Sequence, residues 1–249
     1  MKVITVCNQK GGVGKTATAA ALAAGIARRG FRVLAVDTDP QHNLTAICAA
    51  QALPCTLADV IAGRQAAPAA IQPTAQGFDV LPGDLELSQL PGAYTLDTLR
   101  GILDTIRAKY DYCVIDTPPA LSVLTMSALV AASSVVIPTQ PDVLSLYGLD
   151  QVSETIDAIR PYNDGLQTVG VLLTRYSDRR NIDRTMKDTI AARAQEMGAT
   201  VYAATIRAGV AVPEAHLLRQ DLFSSAPRAG VTADYTAFID EYLKGAKHE

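Results

Sequence analysis

The sequence predicts an α/β fold, a mostly parallel twisted sheet with helices on both faces. Short apolar runs alternate along the chain with longer segments of helical pattern. The runs are apolar throughout, which is typical of parallel strands that are covered on both sides. A glycine-rich turn follows the first run, and such a turn belongs at the carboxyl ends of the strands.

The first βαβ unit fits within about 35 residues. Residues 2–7 form a short apolar run that ends at the glycine-rich turn. Residues 16–29 are rich in alanine, with Leu22 and Ile26 on one side and Gly30 as a stop signal, so they predict a helix. The run at 31–36 is short and apolar and is followed by polar loop residues, which favours a second strand.

The same alternation continues to the end of the chain. Further strands are predicted at 78–81, 112–115, 134–138 and 168–174, and further helices at 95–108, 121–132, 145–160, 181–197 and 232–245. The stretch 62–76, rich in alanine, proline and glutamine, is interpreted as a loop insertion. We expect a single domain over residues 1–249, without an N-terminal helix-turn-helix extension, because the first strand begins at residue 2.

Composition limits the classes of function. The chain has 249 residues with 49% hydrophobic and 19% charged content, and it has neither a long apolar span nor a signal-peptide pattern, so we expect a cytoplasmic protein. The formal net charge of -3 argues against a uniformly basic nucleic-acid binder. Residues 160–193 nevertheless carry seven Lys/Arg against four Asp, so any polyanion site is local.

The four cysteines form no C-x-x-C pair; they are Cys7, Cys48, Cys55 and Cys113. Two of them lie inside apolar, strand-like runs. Buried thiols are therefore the favoured interpretation, and a metal or disulfide role is the alternative.

The glycine-rich turn, residues 10–16, is a variant phosphate loop. The usual pattern has glycine at the position of Gln9, and here Lys10 and a glycine pair follow instead. The glycines let backbone N–H groups converge on phosphate oxygens at a helix N-terminus, Lys15 suits β/γ-phosphate charge, and the Thr16 hydroxyl suits Mg²⁺. The predicted ATP-binding residues are Gly11, Gly12, Val13, Gly14, Lys15, Thr16 and Ala17. A plain glycine-rich turn with surface lysines is the alternative.

Carboxylates follow two of the predicted strands. Asp37 and Asp39 are two residues apart on an extended segment, so both can face one metal ion and one water molecule. The alternative is that one of them only caps the next helix. Asp116 ends the apolar run at 112–115, as the Walker B carboxylate does in nucleotide hydrolases. Thr16, Asp37 and Asp116 are the predicted Mg²⁺ residues, the carboxylates through water if not directly.

With these motifs together, the sequence resembles the ParA/MinD family of deviant Walker A ATPases, and most closely its short ParA/Soj-like members involved in DNA segregation. Residues 10–16 resemble the deviant phosphate loop, 37–43 the first switch, and 116–119 with Leu124 and Thr125 the second switch. Residues 136–140 with Gly148 and Leu149 resemble the strand and helix that follow. Residues 170–174 with 214–215 resemble the nucleotide-base side.

This resemblance implies a P-loop ATPase fold, ATP as substrate and Mg²⁺ as cofactor. It implies that Lys10 reaches across an ATP-dependent homodimer to the partner's phosphates, which gives Lys10 a catalytic role beside Lys15 and the water-orienting Asp39. It also implies slow hydrolysis stimulated by non-specific DNA and by a ParB-like partner, association with the nucleoid in the ATP state, and a cargo such as a plasmid or chromosome.

The sequence departs from the family's pattern at four positions. His42 replaces the usual glycine of the first switch, so that loop is expected to be stiffer or titratable, or His42 is only a surface histidine. Ser122 stands where glycine is common. Ala208 and Ala211 stand where relatives often carry arginines that are associated with DNA binding, which puts the family's usual DNA surface in doubt there.

The basic residues Arg175, Arg179, Arg180, Arg184 and Lys187 are the DNA-binding candidates. On a helix, the last three share one face at i, i+4 and i+7, although such faces are usually only solvated. A MinD-like membrane cycler is the alternative, but the terminal segment 238–249 is short and mixed in charge, so no stable membrane association is expected. A metal-cluster ATPase lacks suitable cysteine spacing, and a non-enzymatic scaffold fits poorly with Lys10, Lys15, Asp39 and Asp116.

Overall fold

A twisted sheet forms the centre of the molecule. The computed structural model describes residues 1–48, 54–90, 92 and 94–245. Within them the sheet has eight strands in the order β3-β4-β2-β5-β1-β6-β7-β8. All neighbours are parallel except β3 and β4, so the predicted mostly parallel sheet is confirmed. The strands are β1 Lys2–Val6, β2 Val33–Asp37, β3 Gln72–Pro73, β4 Asp79–Leu81, β5 Tyr112–Asp116, β6 Ser134–Thr139, β7 Thr168–Leu173 and β8 Thr200–Val201.

Helices cover both faces of this sheet. In chain order they are α1 Lys15–Ala27, α2 Asn43–Cys48, α3 Leu57–Ile61, α4 Ala67–Ala70, α5 Thr98–Asp104, α6 Val123–Ala131, α7 Val143–Ile159, α8 Asn181–Glu196, α9 Ala211–Leu217, α10 Leu222–Ser225 and α11 Gly230–Gly245. Short 3₁₀ segments lie at Leu85–Gln89, Arg107–Lys109 and Arg160–Tyr162.

The core is divided between the two faces. On one face α1 and α11 pack on the sheet, and the alanines of α1 are buried because small side chains let the helix lie close to its neighbours. On the other face α5 and α6 cover one half of the sheet and α7 and α8 cover the other half. Covering both faces is what makes the strands apolar throughout.

Several short elements were not predicted. The helix predicted at 95–108 ends at Asp104 and gives way to a 3₁₀ turn, and the supposed loop 62–76 contains α4 and β3. Helices α2, α3, α9 and α10 and strand β8 also went unpredicted. Elements of two to seven residues complete too few turns or alternations for a hydrophobic period to be visible.

All four cysteines carry free thiols. Cys7, Cys48 and Cys113 are buried, as expected, and Cys55 is half-buried. Burial raises the pKa of Cys7 to about 12, which keeps this thiol protonated next to the phosphate loop. Of the helices in the described part of the chain, none has the length and apolar character needed to cross a membrane.

Candidate functional site

The loop between β1 and α1 has the geometry of an anion cradle. Gly12 and Gly14 adopt left-handed backbone angles, with φ of 76° and 93°. Gly14 occupies the N-cap position of α1, where no side chain satisfies the free N–H groups. Those N–H groups and the positive end of the helix are therefore available to a phosphate group.

One side of this loop rests on helix α7 and strand β6. The Asn8 side chain donates to the Pro138 carbonyl at 2.8 Å and accepts from the Lys10 backbone N–H at 2.9 Å. A Cβ atom at Gly148 of α7 would lie 2.9 Å from the Asn8 amide oxygen. The absence of a side chain at Gly148 thus lets α7 approach the loop closely.

The other side of the loop is held by the ends of β6 and β7. Gln140 Nε2 donates to the Gly12 carbonyl at 2.8 Å, and Thr174 Oγ1 donates to the Val13 carbonyl at 2.9 Å. Both bonds are accepted by carbonyl groups, so neither of them uses a loop N–H group. The loop is consequently fixed in place before any ligand binds.

The two loop lysines occupy different environments. Lys15 is buried, burial lowers its pKa, and its Nζ donates to the Lys10 carbonyl at 3.0 Å. Lys10 points away from the loop toward α7 of its own chain. Its Nζ donates to both carboxylate oxygens of Asp142 and, at 3.1 Å, to Ser145 Oγ.

Strand register brings two of the predicted carboxylates side by side. Asp37 at the end of β2 pairs in register with Asp116 at the end of β5. The carboxylate of Asp37 accepts from the Asp39 N–H at 3.1 Å and from both the N–H and the hydroxyl of Thr45, at 2.8 and 2.7 Å. Burial, opposed by these hydrogen bonds, raises the pKa of Asp37 to about 6. Asp37 therefore holds the first turn of α2. This is the capping role that the sequence offered as an alternative for one of the two carboxylates.

Asp116 is fully buried, and neither of its carboxylate oxygens accepts a hydrogen bond of ordinary geometry from the described residues. Burial raises its pKa well above the usual range, the charge of Asp37 adds to this shift, and the nearby Thr16 hydroxyl opposes it. A buried carboxylate without donors is costly in an empty protein. The environment of Asp116 therefore fits a carboxylate whose missing partner is a cation or a water molecule bound to a cation.

Asp39 lies in the turn that follows β2. Its side chain accepts from the Gln41 N–H at 2.9 Å, and its carbonyl accepts from the His42 N–H at 2.7 Å. His42 has a φ of 44°, in the left-handed region that glycine tolerates best. The position where the family carries glycine thus keeps a glycine-like backbone although histidine occupies it.

These oxygens do not form a complete metal site alone. In the described residues, no three His, Cys, Asp or Glu side chains are arranged to hold a metal ion. Hydroxyl and carboxylate oxygens of Thr16, Asp37 and Asp116 are the ligands that Mg²⁺ prefers, and Mg²⁺ commonly takes its remaining ligands from substrate phosphates and water. The donor set therefore fits Mg²⁺ that is bound together with a phosphate ligand.

A cavity of about 900 Å³ opens at the mouth of the phosphate loop. Its floor is formed by Gly12, Gly14 and Ala17, and one wall by residues 206–210 with Val212 and Pro213. Little in the sequence indicates that wall, because residues 206–210 lie outside the regular strands and helices. Asp142 was also not predicted, although an Asp after a proline at a helix start is a recognisable cap.

The five basic DNA-binding candidates do not share one environment. Arg175 and Arg180 line the cavity at the phosphate loop. Arg184 lies on the exposed face of α8 and donates to the Asp178 carbonyl at 3.0 Å. Lys187 Nζ lies 5.4 Å from the centre of the Tyr176 ring. The remaining member, Arg179, is exposed in the loop before α8.

Two of the departures from the family pattern have local reasons. Ser122 is the N-cap of α6, where its side chain accepts from the Thr125 N–H. Ala211 is buried at the start of α9, so it is not a surface position at which an arginine would face solvent. Ala208 lines the cavity.

The chain is similar to known proteins over most of its length. The model of a family described as an AAA domain matches residues 1–168. The chromosome partitioning protein ParA of Caulobacter vibrioides is 38% identical over 227 residues, which cover 86% of this chain and 84% of that protein.

Solved structures share the fold and add ligands to the comparison. A cobyrinic acid a,c-diamide synthase from Mycobacterium smegmatis, with bound ADP and magnesium, matches with a TM-score of 0.84 and 29% identity, covering 99% of this chain and 96% of that one. The septum site-determining protein MinD of Pyrococcus horikoshii OT3, complexed with Mg-ADP, matches with a TM-score of 0.82 and 26% identity, covering 98% and 97%.

Proposed function

Because the chain belongs to the ParA/MinD-type family of P-loop ATPases, we propose that it is a ParA-like positioning ATPase that uses Mg²⁺ and ATP. In its ATP state it forms a homodimer, binds DNA without sequence preference and positions a cargo through a ParB-like partner. Residues 1–249 act as a single P-loop domain in this proposal.

The pairing of Asp116 with Asp37 beside the phosphate loop is the observation that carries the proposal. Asp116 is a buried carboxylate that accepts no hydrogen bond from the residues described, next to the Thr16 hydroxyl and near the cation of Lys15. A structural carboxylate would have donors. A nucleotide with bound Mg²⁺ would supply the cation for these carboxylate and hydroxyl oxygens and the phosphates for the loop beside them.

Each residue has a definite task in this proposal. The loop N–H groups and Lys15 would hold the phosphates, and the oxygens of Thr16, Asp37 and Asp116 would hold Mg²⁺, the carboxylates through water if not directly. Mg²⁺ supplies positive charge to the phosphate oxygens. Asp39 follows Asp37 in the first switch, and its carboxylate orients the attacking water.

Lys10 links hydrolysis to dimerisation in the proposal. A cation that one protomer gives to its partner's phosphates stabilises the charge of the transferring phosphoryl group. The exposed apolar side chains next to Lys10 support an interface on this side of the molecule: Val143 is 59%, Leu144 67% and Tyr147 64% exposed. A second copy of the chain would cover them.

The DNA surface lies on the outer face of α8 and the loop before it. Arg179, Arg184 and Lys187 provide positive charge there, and Arg180 lies between this face and the cavity. Contacts to phosphates would make binding independent of sequence and strongly dependent on salt. Dimerisation would double the surface and raise the avidity, which ties DNA residence to ATP.

The membrane alternative needs an amphipathic helix that is free to leave the protein. Phe238 and Ile239 of α11 are fully buried in the core, and Tyr242 and Leu243 are also buried. The apolar face of α11 is thus packed against the protein core and is not exposed to a membrane. This favours the DNA-binding proposal over the membrane alternative. The last four residues of the terminal segment, 246–249, lie outside the described residues.

The central experiment measures retention on non-specific DNA with ATP, with ADP and without nucleotide, each at two salt concentrations. We expect retention only with ATP, decreasing steeply with salt. Arg179→Ala and Arg184→Ala should weaken it, while Arg160→Ala should not, because Arg160 follows α7 toward the amino ends of the strands, whereas Arg179 and the start of α8 follow the carboxyl end of β7. Retention that ignores nucleotide, or its absence throughout, would contradict the DNA part of the proposal.

The ATPase part has its own test. Lys15→Ala should abolish ATP binding, and Asp39→Ala should keep binding but stop phosphate release. Liposome sedimentation under the same nucleotide conditions tests the membrane alternative. ATP-dependent sedimentation with liposomes, without DNA retention, would favour a MinD-like cycle.

A further inference from the structure

Gln76 is a buried polar residue in the turn that joins β3 to β4. The turn itself is tightly held: the Thr74 hydroxyl donates to the Phe78 carbonyl at 2.6 Å and accepts from the Gln76 N–H at 3.2 Å. The backbone of Gln76 is therefore fixed to the sheet. A buried side-chain amide is normally hydrogen-bonded, so the partners of this amide indicate its role.

The amide nitrogen of Gln76 joins two helices that are far apart in the sequence. Its Nε2 donates to the Ile47 carbonyl at 2.8 Å and to the Arg219 carbonyl at 3.4 Å. Ile47 belongs to α2, and Arg219 lies two residues after the last residue of α9. One side chain thus uses its two N–H bonds to hold α2 and the end of α9 to the same point of the sheet.

The first of these helices continues directly from the first switch. α2 begins at Asn43, and Thr45 in its first turn donates to the Asp37 carboxylate through both its N–H and its hydroxyl. Asp37 is also one of the residues proposed to hold Mg²⁺. A change at the magnesium site is therefore transmitted to α2 through Asp37 and Thr45.

The second helix lies between the large cavity and Gln76. Val212, Pro213 and His216 of α9 line the cavity at the phosphate loop. Val212 and His216 also line a small space that Gln76 and Ile47 border. α9 consequently has one side on the nucleotide cavity and another on the junction with α2.

We propose that Gln76 is a positioning residue that couples the first switch to α9, so that ordering of the switch by Mg²⁺ and phosphate also restricts α9 and the cavity wall that precedes it. A shift of α2 lengthens the bond from Gln76 to one of the two helices unless both helices move together. A buried amide that loses an acceptor is costly, which favours the joint movement. The inference rests on the proposed ATPase function and assigns Gln76 a part in it.

The test is hydrogen–deuterium exchange of the full chain with Mg²⁺ and inorganic tripolyphosphate, which offers phosphates to the loop but has no nucleoside. In the wild type, exchange should slow in α2 and also, by about fivefold, in α9, because ordering one helix restricts the other. Gln76→Met keeps a side chain of similar length without the amide, so α2 should still respond while α9 should not. Gln72→Met is the control, because Gln72 lies in β3 next to the same turn and makes no hydrogen bond to the described residues of α2 or α9.

The helix-by-helix response separates coupling from simple support of the fold. An α9 response in Gln76→Met equal to that of the wild type would overturn the proposal, as would a wild type in which only α2 responds. Loss of both responses in the variant would also overturn it, since Gln76 would then only maintain the structure. Gln76→Asn, which is one methylene too short to reach both carbonyls, gives the same test if the methionine variant does not fold. Wild-type protein that binds neither ATP nor tripolyphosphate would instead refute the proposed function itself.

Discussion

Lys10 forms its ion pair within its own chain, with its Nζ 2.7 and 2.6 Å from the two carboxylate oxygens of Asp142. Asp142 also caps helix α7 by accepting from the Ser145 N–H at 2.9 Å. In the proposed dimer Lys10 reaches the phosphates of the partner protomer. The pair with Asp142 would then break, so Asp142 would compete with the proposed dimerisation for Lys10.

Asp142→Asn should strengthen ATP-dependent dimerisation roughly two- to fivefold, because an exposed ion pair contributes up to about 1 kcal/mol. Asparagine keeps the cap on α7 and removes the charge. Sedimentation equilibrium with a non-hydrolysable ATP analogue measures the effect. Asp150→Asn, on the same helix but paired with Arg193, is the control and should leave dimerisation unchanged. If Asp142→Asn strengthens dimerisation by the same factor in a Lys10→Ala background, Asp142 does not compete for Lys10.

Asp116→Asn should stabilise the nucleotide-free protein and remove its stabilisation by Mg-ATP. The amide has no charge to bury, so the free energy of unfolding should rise by on the order of 1–3 kcal/mol, which is several degrees in Tm. Thermal unfolding with and without Mg-ATP measures both effects. Asp111→Asn is the control: Asp111 is a surface partner of Arg32, and its loss should leave stability unchanged or slightly lower. A destabilised Asp116→Asn protein would mean that the carboxylate is structural.

The buried carboxylates also predict how stability depends on pH. Burial raises the pKa of Asp37 from 3.8 to about 6 and that of Asp116 well above 3.8, so the folded state binds protons that the unfolded state does not. Their contribution to stability is fully present below the unfolded pKa and is lost as the pH rises through the folded values. In EDTA, the urea midpoint of the nucleotide-free protein should therefore increase from pH 8 to pH 6. The increase should be smaller in Asp116→Asn; equal slopes in both proteins would contradict the assignment.

His42→Gly should stabilise the first switch. The left-handed backbone of His42, with a φ of 44°, costs about 1 kcal/mol for a residue with a Cβ atom, and glycine removes this cost. Part of the gain is offset by the greater freedom of glycine in the unfolded chain, so a net increase of up to about 1 kcal/mol is expected. Urea unfolding and amide exchange across residues 38–44 measure it. His42→Ala, which keeps the Cβ atom, should show no gain; an equal gain in both would point to the imidazole instead.

Patterns with a strong period or a fixed chemistry were predictable. The long strands and helices, the parallel sheet and the phosphate loop follow from runs such as 112–115 and the glycines of 10–16, because each reflects a local preference. The side-by-side arrangement of Asp37 and Asp116 depends on strand register. Each residue could be placed at a strand end from sequence, but not at the same level of the sheet.

The remaining features depend on contacts between distant segments. Two of these contacts join positions more than a hundred residues apart: the ion pair of Lys10 with Asp142 and the hydrogen bond from Thr174 to Val13. Conversely, the fold gives different environments to basic residues that are close neighbours in the sequence. Arg175 and Arg179 look equivalent in the sequence, yet only Arg175 lines the cavity. Side-chain environment of this kind has no periodic signature.

The buried carboxylates at the ends of β2 and β5 bear on how long each molecule survives in a cell. A nucleotide-free molecule, with these charges incompletely neutralised, would open more often than one that holds Mg²⁺ and ATP, because a ligand that binds the folded state stabilises it. Proteases that cut the opened chain act in proportion to the population of that open form. Nucleotide-free molecules would therefore be degraded first, and the amount of this protein would follow the supply of ATP.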